Sequence, residues 1–144
     1  METFFAQAEQ AFREYRRDLE ECEKKRKPTD GLFGFGHSLQ DDPCHGRADE
    51  KVRLAAEGLC AAQPPSDTAE RMVRLLLLRD DMNTWPEAAQ WMLRAMERHA
   101  LPLIAFLSRD AAAAVGLEYT GRCRRWERLP VQKKICKALK EKSK

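Results

Sequence analysis

Residues 3–26 read TFFAQAEQAFREYRRDLEECEKKR. Phe5, Ala8, Phe12, Tyr15, Leu19 and Cys22 recur there at intervals of 3, 4, 3, 4 and 3 residues. An α-helix returns to the same face every 3.6 residues, so this spacing predicts an apolar seam down one side of a helix. The other side is charged. Glu9 with Arg13, Glu20 with Lys24, Glu21 with Lys25 and Glu23 with Lys27 stand four apart with the acid first. Such pairs support an isolated helix by roughly 0.2–0.5 kcal/mol each. Lys24, Lys25, Arg26 and Lys27 bring positive charge to the negative end of the helix dipole, and Pro28 stops the helix.

Working outward, the same period returns in every later segment. Residues 28–42 read as a loop in which Gly31, Gly34 and Gly36 alternate with Leu32, Phe33, Phe35 and Leu39. Asp42-Pro43 opens a second helix with the stripe Val52, Ala55, Ala56, Leu59, which Pro64-Pro65 ends. Asp67, with Glu70 three residues on, reads as the capping box of a third helix. The run Leu75 to Leu78 makes that helix apolar all round, so it is expected to be central. Thr84-Trp85-Pro86-Glu87 is a second capping box and opens a fourth helix, with Trp85, Ala88, Met92, Met96 and His99 on one side. Pro102 marks its end or a kink. An Ala-rich helix follows Ser108 and is expected to stop near Gly116, with residues 117–129 as a connection. Pro130 starts a last helix striped by Val131, Ile135 and Leu139. No strand pattern competes with this reading.

The expectation is an all-α single domain over 1–144, a compact bundle of five to seven helices, irregular or repeat-like in its stacking. Its parts are the helix 3–26, the loop 28–42, a helical core over 43–116 and a basic segment over 117–144. With 43% hydrophobic and 34% charged residues, the chain has the apolar content of a globular protein and surplus charge suited to helix surfaces. Its longest apolar stretch, Leu101 to Leu107, is far short of the roughly 20 residues that span a bilayer. Met1 is followed by Glu2, and no secretory leader pattern follows. Five cysteines, scattered and without a Cys-x-x-Cys pair, read as reduced thiols. These features predict a cytoplasmic protein without membrane association.

Three groups of residues invite a chemical role. The glycines of residues 30–37 suggest a phosphate loop, but no strand precedes them and neither the Gly-Lys-Ser/Thr ending nor Gly-x-Gly-x-x-Gly spacing is present. His37, Asp41, Asp42, Cys44 and His45 are metal-capable within nine residues. Their spacing lacks the paired ligands of structural zinc, and Asp42 serves equally as a helix cap, so no metal and no cofactor is assigned. Cys44 with His37 or His99 forms a conceivable nucleophile and base, without any nucleophile motif to support it. His99 beside Met92 and Met96 reads as a boundary residue of a core helix.

Charge is distributed more tellingly. Residues 122–144 hold ten Lys or Arg against Glu127 and Glu141, a net +8, whereas residues 1–121 carry a net −5. The basic segment can face the protein's own acidic body, or it can bind an anionic partner. Arg122, Arg124, Arg125, Trp126, Arg128, Lys133, Lys134 and Lys137 are the candidate contact residues, with Trp126 able to stack on a base. The function expected is therefore a non-enzymatic interaction module binding another macromolecule. A protein is the first partner considered and nucleic acid the alternative. A metal-dependent or Cys/His enzyme centred on residues 37–45 is the most distant reading. The 3–26 seam allows either a monomer or a homodimer paired through that helix. No helix-turn-helix, zinc-finger, RNA-binding or P-loop signature is present.

Overall fold

The helical periods are realised throughout the computed structural model, which describes residues 1–25, 43–79, 90–123 and 130–144. Among these residues there are six α-helices and no strand, as the all-α reading requires. They are α1 (Glu2–Lys25), α2 (Pro43–Ala61), α3 (Ser66–Leu77), α4 (Gln90–Ala100), α5 (Arg109–Cys123) and α6 (Pro130–Lys142). A 3-10 segment, Leu101–Phe106, joins α4 to α5. None of the described helices is long and apolar enough to cross a membrane. The chain divides into two compact units, Met1–Ala55 and Ala56–Lys144.

In the first unit the seam of α1 is a buried face. Phe5, Ala8, Phe12 and Tyr15 are all but inaccessible within one copy of the chain, and Ala11 joins them. Leu19 and Cys22 lie outside the residues whose side chains are described. The expected Glu9–Arg13 bridge does not form: both side chains are exposed and make no ion pair among the described residues. Exposed pairs of this kind lose nearly as much hydration and side-chain freedom as they gain. Gln10 instead donates to Glu14 at 2.9 Å, and Glu14 also accepts from Lys51 of α2. Ala48, Val52 and Ala55 give α2 its buried stripe in this unit.

The second unit is built around α3, which packs on α4, the 3-10 segment and α5. Met72, Val73, Leu76 and Leu77 are buried, so the leucine run does mark the central helix. Its start differs from expectation. Pro65, extended at ψ 163°, is the residue before the first turn, and no side chain caps it. Asp67 is therefore the second helical residue, and its carboxylate accepts only from the neighbouring Thr68 N–H. The Ser66 hydroxyl faces the other way and accepts from the Ser108 N–H at 2.6 Å. Ser108 caps α5, its own hydroxyl accepting from the Ala111 N–H.

Pro102 acts as read from the sequence: α4 stops at Ala100 and the backbone tightens into the 3-10 segment. Gly116 does not act as read. α5 runs through it to Cys123, so residues 117–123 are helix and not connection. A glycine inside a helix costs about 1 kcal/mol relative to alanine without ending it. Here it lies against α6, where an added Cβ would stand 3.5 Å from the Leu139 Cβ. The expected 28–42 loop, the Asp42 cap and the Thr84–Glu87 capping box fall outside the described residues.

Candidate functional site

The last helix combines firm anchorage with concentrated charge. Pro130 begins α6, where a proline's fixed φ suits the first turn. Gln132, Ile135 and Leu139, spaced i, i+3 and i+7, are its buried residues. They face α5, α4 and the 3-10 segment. Full burial of Ile135 and Leu139 contributes about 1.5–3 kcal/mol each.

Beside this apolar contact lies one buried polar cluster. Glu97 of α4 is 8% exposed, and Gln132 of α6 is 7% exposed. Arg94 Nη1 reaches Glu97 Oε1 at 3.2 Å, and Gln132 Nε2 donates to the same oxygen at 3.4 Å. Burial pushes the Glu97 carboxyl above its ordinary value, and it prevails over the Arg94 charge and the hydrogen bonds from Gln132 and Tyr119, which act the other way. The cluster ties α6 to α4 through Glu97 Oε1, while Glu97 Oε2 is buried without a hydrogen-bond partner among the described residues.

The outer face of α6 carries Lys133, Lys134, Lys137 and Lys140, with Lys144 just beyond its end, all exposed. At 100° per residue, Lys133, Lys137 and Lys140 fall within about 60° of arc. Among the described residues none of these five lysines makes an ion pair.

Arg122 is placed differently from its neighbours in sequence. Its guanidinium donates to the Arg79 carbonyl at 2.9 Å and to the Leu78 carbonyl at 3.1 Å, closing the C-terminal end of α3. Arg124, Arg125, Trp126 and Arg128 lie outside the described residues, as do His37, Asp41 and Asp42. Cys44 and His45 belong to the first turn of α2, but their side chains are not among those described. Among the described residues no three His, Cys, Asp or Glu side chains are grouped to hold a metal.

Two depressions are formed by described residues of the second unit. One, of about 450 Å³, runs between α2 and the end of α4 and is lined by Glu57, Cys60, Arg98, His99 and Pro102 among others. It joins the half-buried Cys60 thiol and His99, a pairing the sequence reading did not consider. The other, of about 580 Å³, lies where α3 and α5 begin, between Ser66, Asp67, Glu70, Ser108 and Asp110. Two helix N-termini would draw an anion there, but three carboxylates already oppose one.

Comparison with protein-family models, with curated proteins and with solved structures gave no match. The site therefore rests on its own geometry. The sequence singled out Lys133, Lys134 and Lys137 and not Lys140 and Lys144, which are exposed as well. It missed Gln132 and Glu97. Gln132 was legible in principle, since it stands i, i+3, i+7 with Ile135 and Leu139. Glu97 was not, because nothing in the spacing of α4 separates a buried acid from an exposed one.

Proposed function

We propose that this protein is a non-enzymatic helical interaction module and that the lysine face of α6 is the surface with which it binds an anionic macromolecule. One observation carries the reading: exposed lysines that make no ion pair among the described residues, on a helix whose opposite side is anchored in the core. Like charges gathered on one face repel one another, and an anion laid across them relieves that repulsion. A single chain is the working unit on this reading, since the described seam residues of α1 are already buried within one copy. A cytoplasmic setting fits the free thiols Cys60 and Cys136.

The test is retention on a heparin column. Lys133→Gln/Lys137→Gln/Lys140→Gln is expected to elute at clearly lower salt than the unaltered chain while keeping its circular dichroism. Identical elution of the two would remove α6 as the contact surface.

A further inference from the structure

We infer that the anion recognised by α6 is the phosphate backbone of a nucleic acid, bound without regard to sequence. The inference rests on the interaction-module reading above and names its partner. Protein–protein contact surfaces are enriched in aromatic residues, Met and Arg and are depleted in Lys, because binding there is dominated by a few large, desolvated anchors. The exposed residues of α6 are Pro130, Lys133, Lys134, Lys137, Lys140, Glu141 and Lys142, which include no such anchor. An acidic protein laid on this face would gain charge contacts only, and these are worth little in water.

Phosphate backbones have different requirements. Their affinity comes largely from displacing condensed counterions, which needs a series of cations and little else. Lysine supplies a compact point charge on a flexible stem. Along α6 the cations recur every three to four residues, a rise of about 4.5–6 Å, and each strand of a duplex presents a charge every ~3.4 Å along its axis. The reach of the lysine stems bridges that mismatch. No Arg, Asn or Gln side chain is exposed on α6, so nothing there is suited to reading base edges. The one amide, Gln132, is buried against Glu97. Position is set by phosphates, and sequence goes unread.

With four lysines each meeting a phosphate, the logarithm of the affinity for duplex DNA falls with the logarithm of salt at a slope of about −3.6, and for a single strand at about −2.8. Between 50 and 200 mM salt that is a loss of roughly a hundredfold on a duplex. The measurement is fluorescence anisotropy of the full chain with two dye-labelled DNA duplexes of unrelated sequence, a single-stranded oligonucleotide and labelled polyglutamate. Four proteins are compared: the unaltered chain, Lys133→Gln/Lys137→Gln/Lys140→Gln, the same three positions changed to Arg, and Arg71→Gln/Arg98→Gln/Arg109→Gln, which removes equal charge from exposed positions off α6. The expected result is equal affinity for both duplexes with the steep salt slope, a loss of at least tenfold in the α6 Gln variant, and retention in the Arg variant and the off-helix control. If polyglutamate binds through α6 while no oligonucleotide does at 50 mM salt, the partner is an acidic protein; the nucleic-acid assignment then falls and the interaction module stands. If the α6 Gln variant and the off-helix control bind every probe alike, both readings fall.

Discussion

Helices α1 and α6 are both amphipathic, both charged, and treat their charge in opposite ways. On α1 acids and bases are mixed, and Glu14 is held by Gln10 and Lys51. On α6 five lysines stand with a single acid, Glu141, and make no ion pair among the described residues. The inner faces are alike: Phe12 and Tyr15 on the first helix and Ile135 and Leu139 on the second are essentially inaccessible. Burial therefore explains why each helix forms, and says nothing of what its outer face is for. The difference lies in sign. A mixed surface is satisfied by water and its own neighbours, while a surface of one sign retains an attraction for something outside the chain.

The comparison breaks most readily at the inner faces. Phe12→Ala should cost about 3–5 kcal/mol and Leu139→Ala about 2–5 kcal/mol in urea unfolding. A loss below 1 kcal/mol for Leu139→Ala would mean that α6 is not anchored and that its lysine face is not a fixed surface.

Acidity sharpens the contrast more finely. Glu97, beside α6, has its carboxyl pushed up by burial, so its contribution to stability is full at low pH and is lost as pH rises through that raised value. Glu14, on α1, is held below its ordinary value chiefly by its hydrogen bond with Lys51, so its contribution is present at neutral pH and is lost as pH falls through the lowered value. Measured by thermal unfolding between about pH 3 and 7, the unaltered chain should lose stability relative to Glu97→Gln as pH rises. Relative to Glu14→Gln it should gain. Parallel curves for Glu97→Gln would show that the fold does not favour the protonated form of its carboxyl.

The smallest effects concern the outer faces. Lys51→Met should cost under about 1 kcal/mol, as exposed pairs do. Replacing Lys133, Lys137 and Lys140 by Gln should change stability by no more than about 0.5 kcal/mol in either direction. A larger loss from the lysines would show that they serve the fold and not a partner.

Much of this was legible beforehand, and the gaps share a cause. Periodicity located α1, the Val52–Leu59 stripe, the central leucine run and the last helix, because each reflects one face turned to a core. Pro102 and Pro130 were reliable because a missing N–H acts locally. Asp67 and Gly116 misled because their roles are decided across helices. The Ser66 hydroxyl at the start of α3 is engaged by the Ser108 N–H, 42 residues away, and Gly116 inside α5 packs against Leu139 of α6. The charge split singled out one end of the chain, yet could not tell Arg122, whose guanidinium donates to the Leu78 and Arg79 carbonyls, from the lysines that face water.

On the proposed reading, Gly116 bears on recognition without touching a ligand. It lies against Leu139 of α6, where a methyl group would make ordinary van der Waals contact at 3.5 Å, so the packing of the two helices bears on a position that carries no charge. A residue much larger than alanine there would wedge the helices apart and turn the lysine strip away from its present direction. Affinity would then change while every cation stayed in place, making this a point of geometric control remote from the surface it governs.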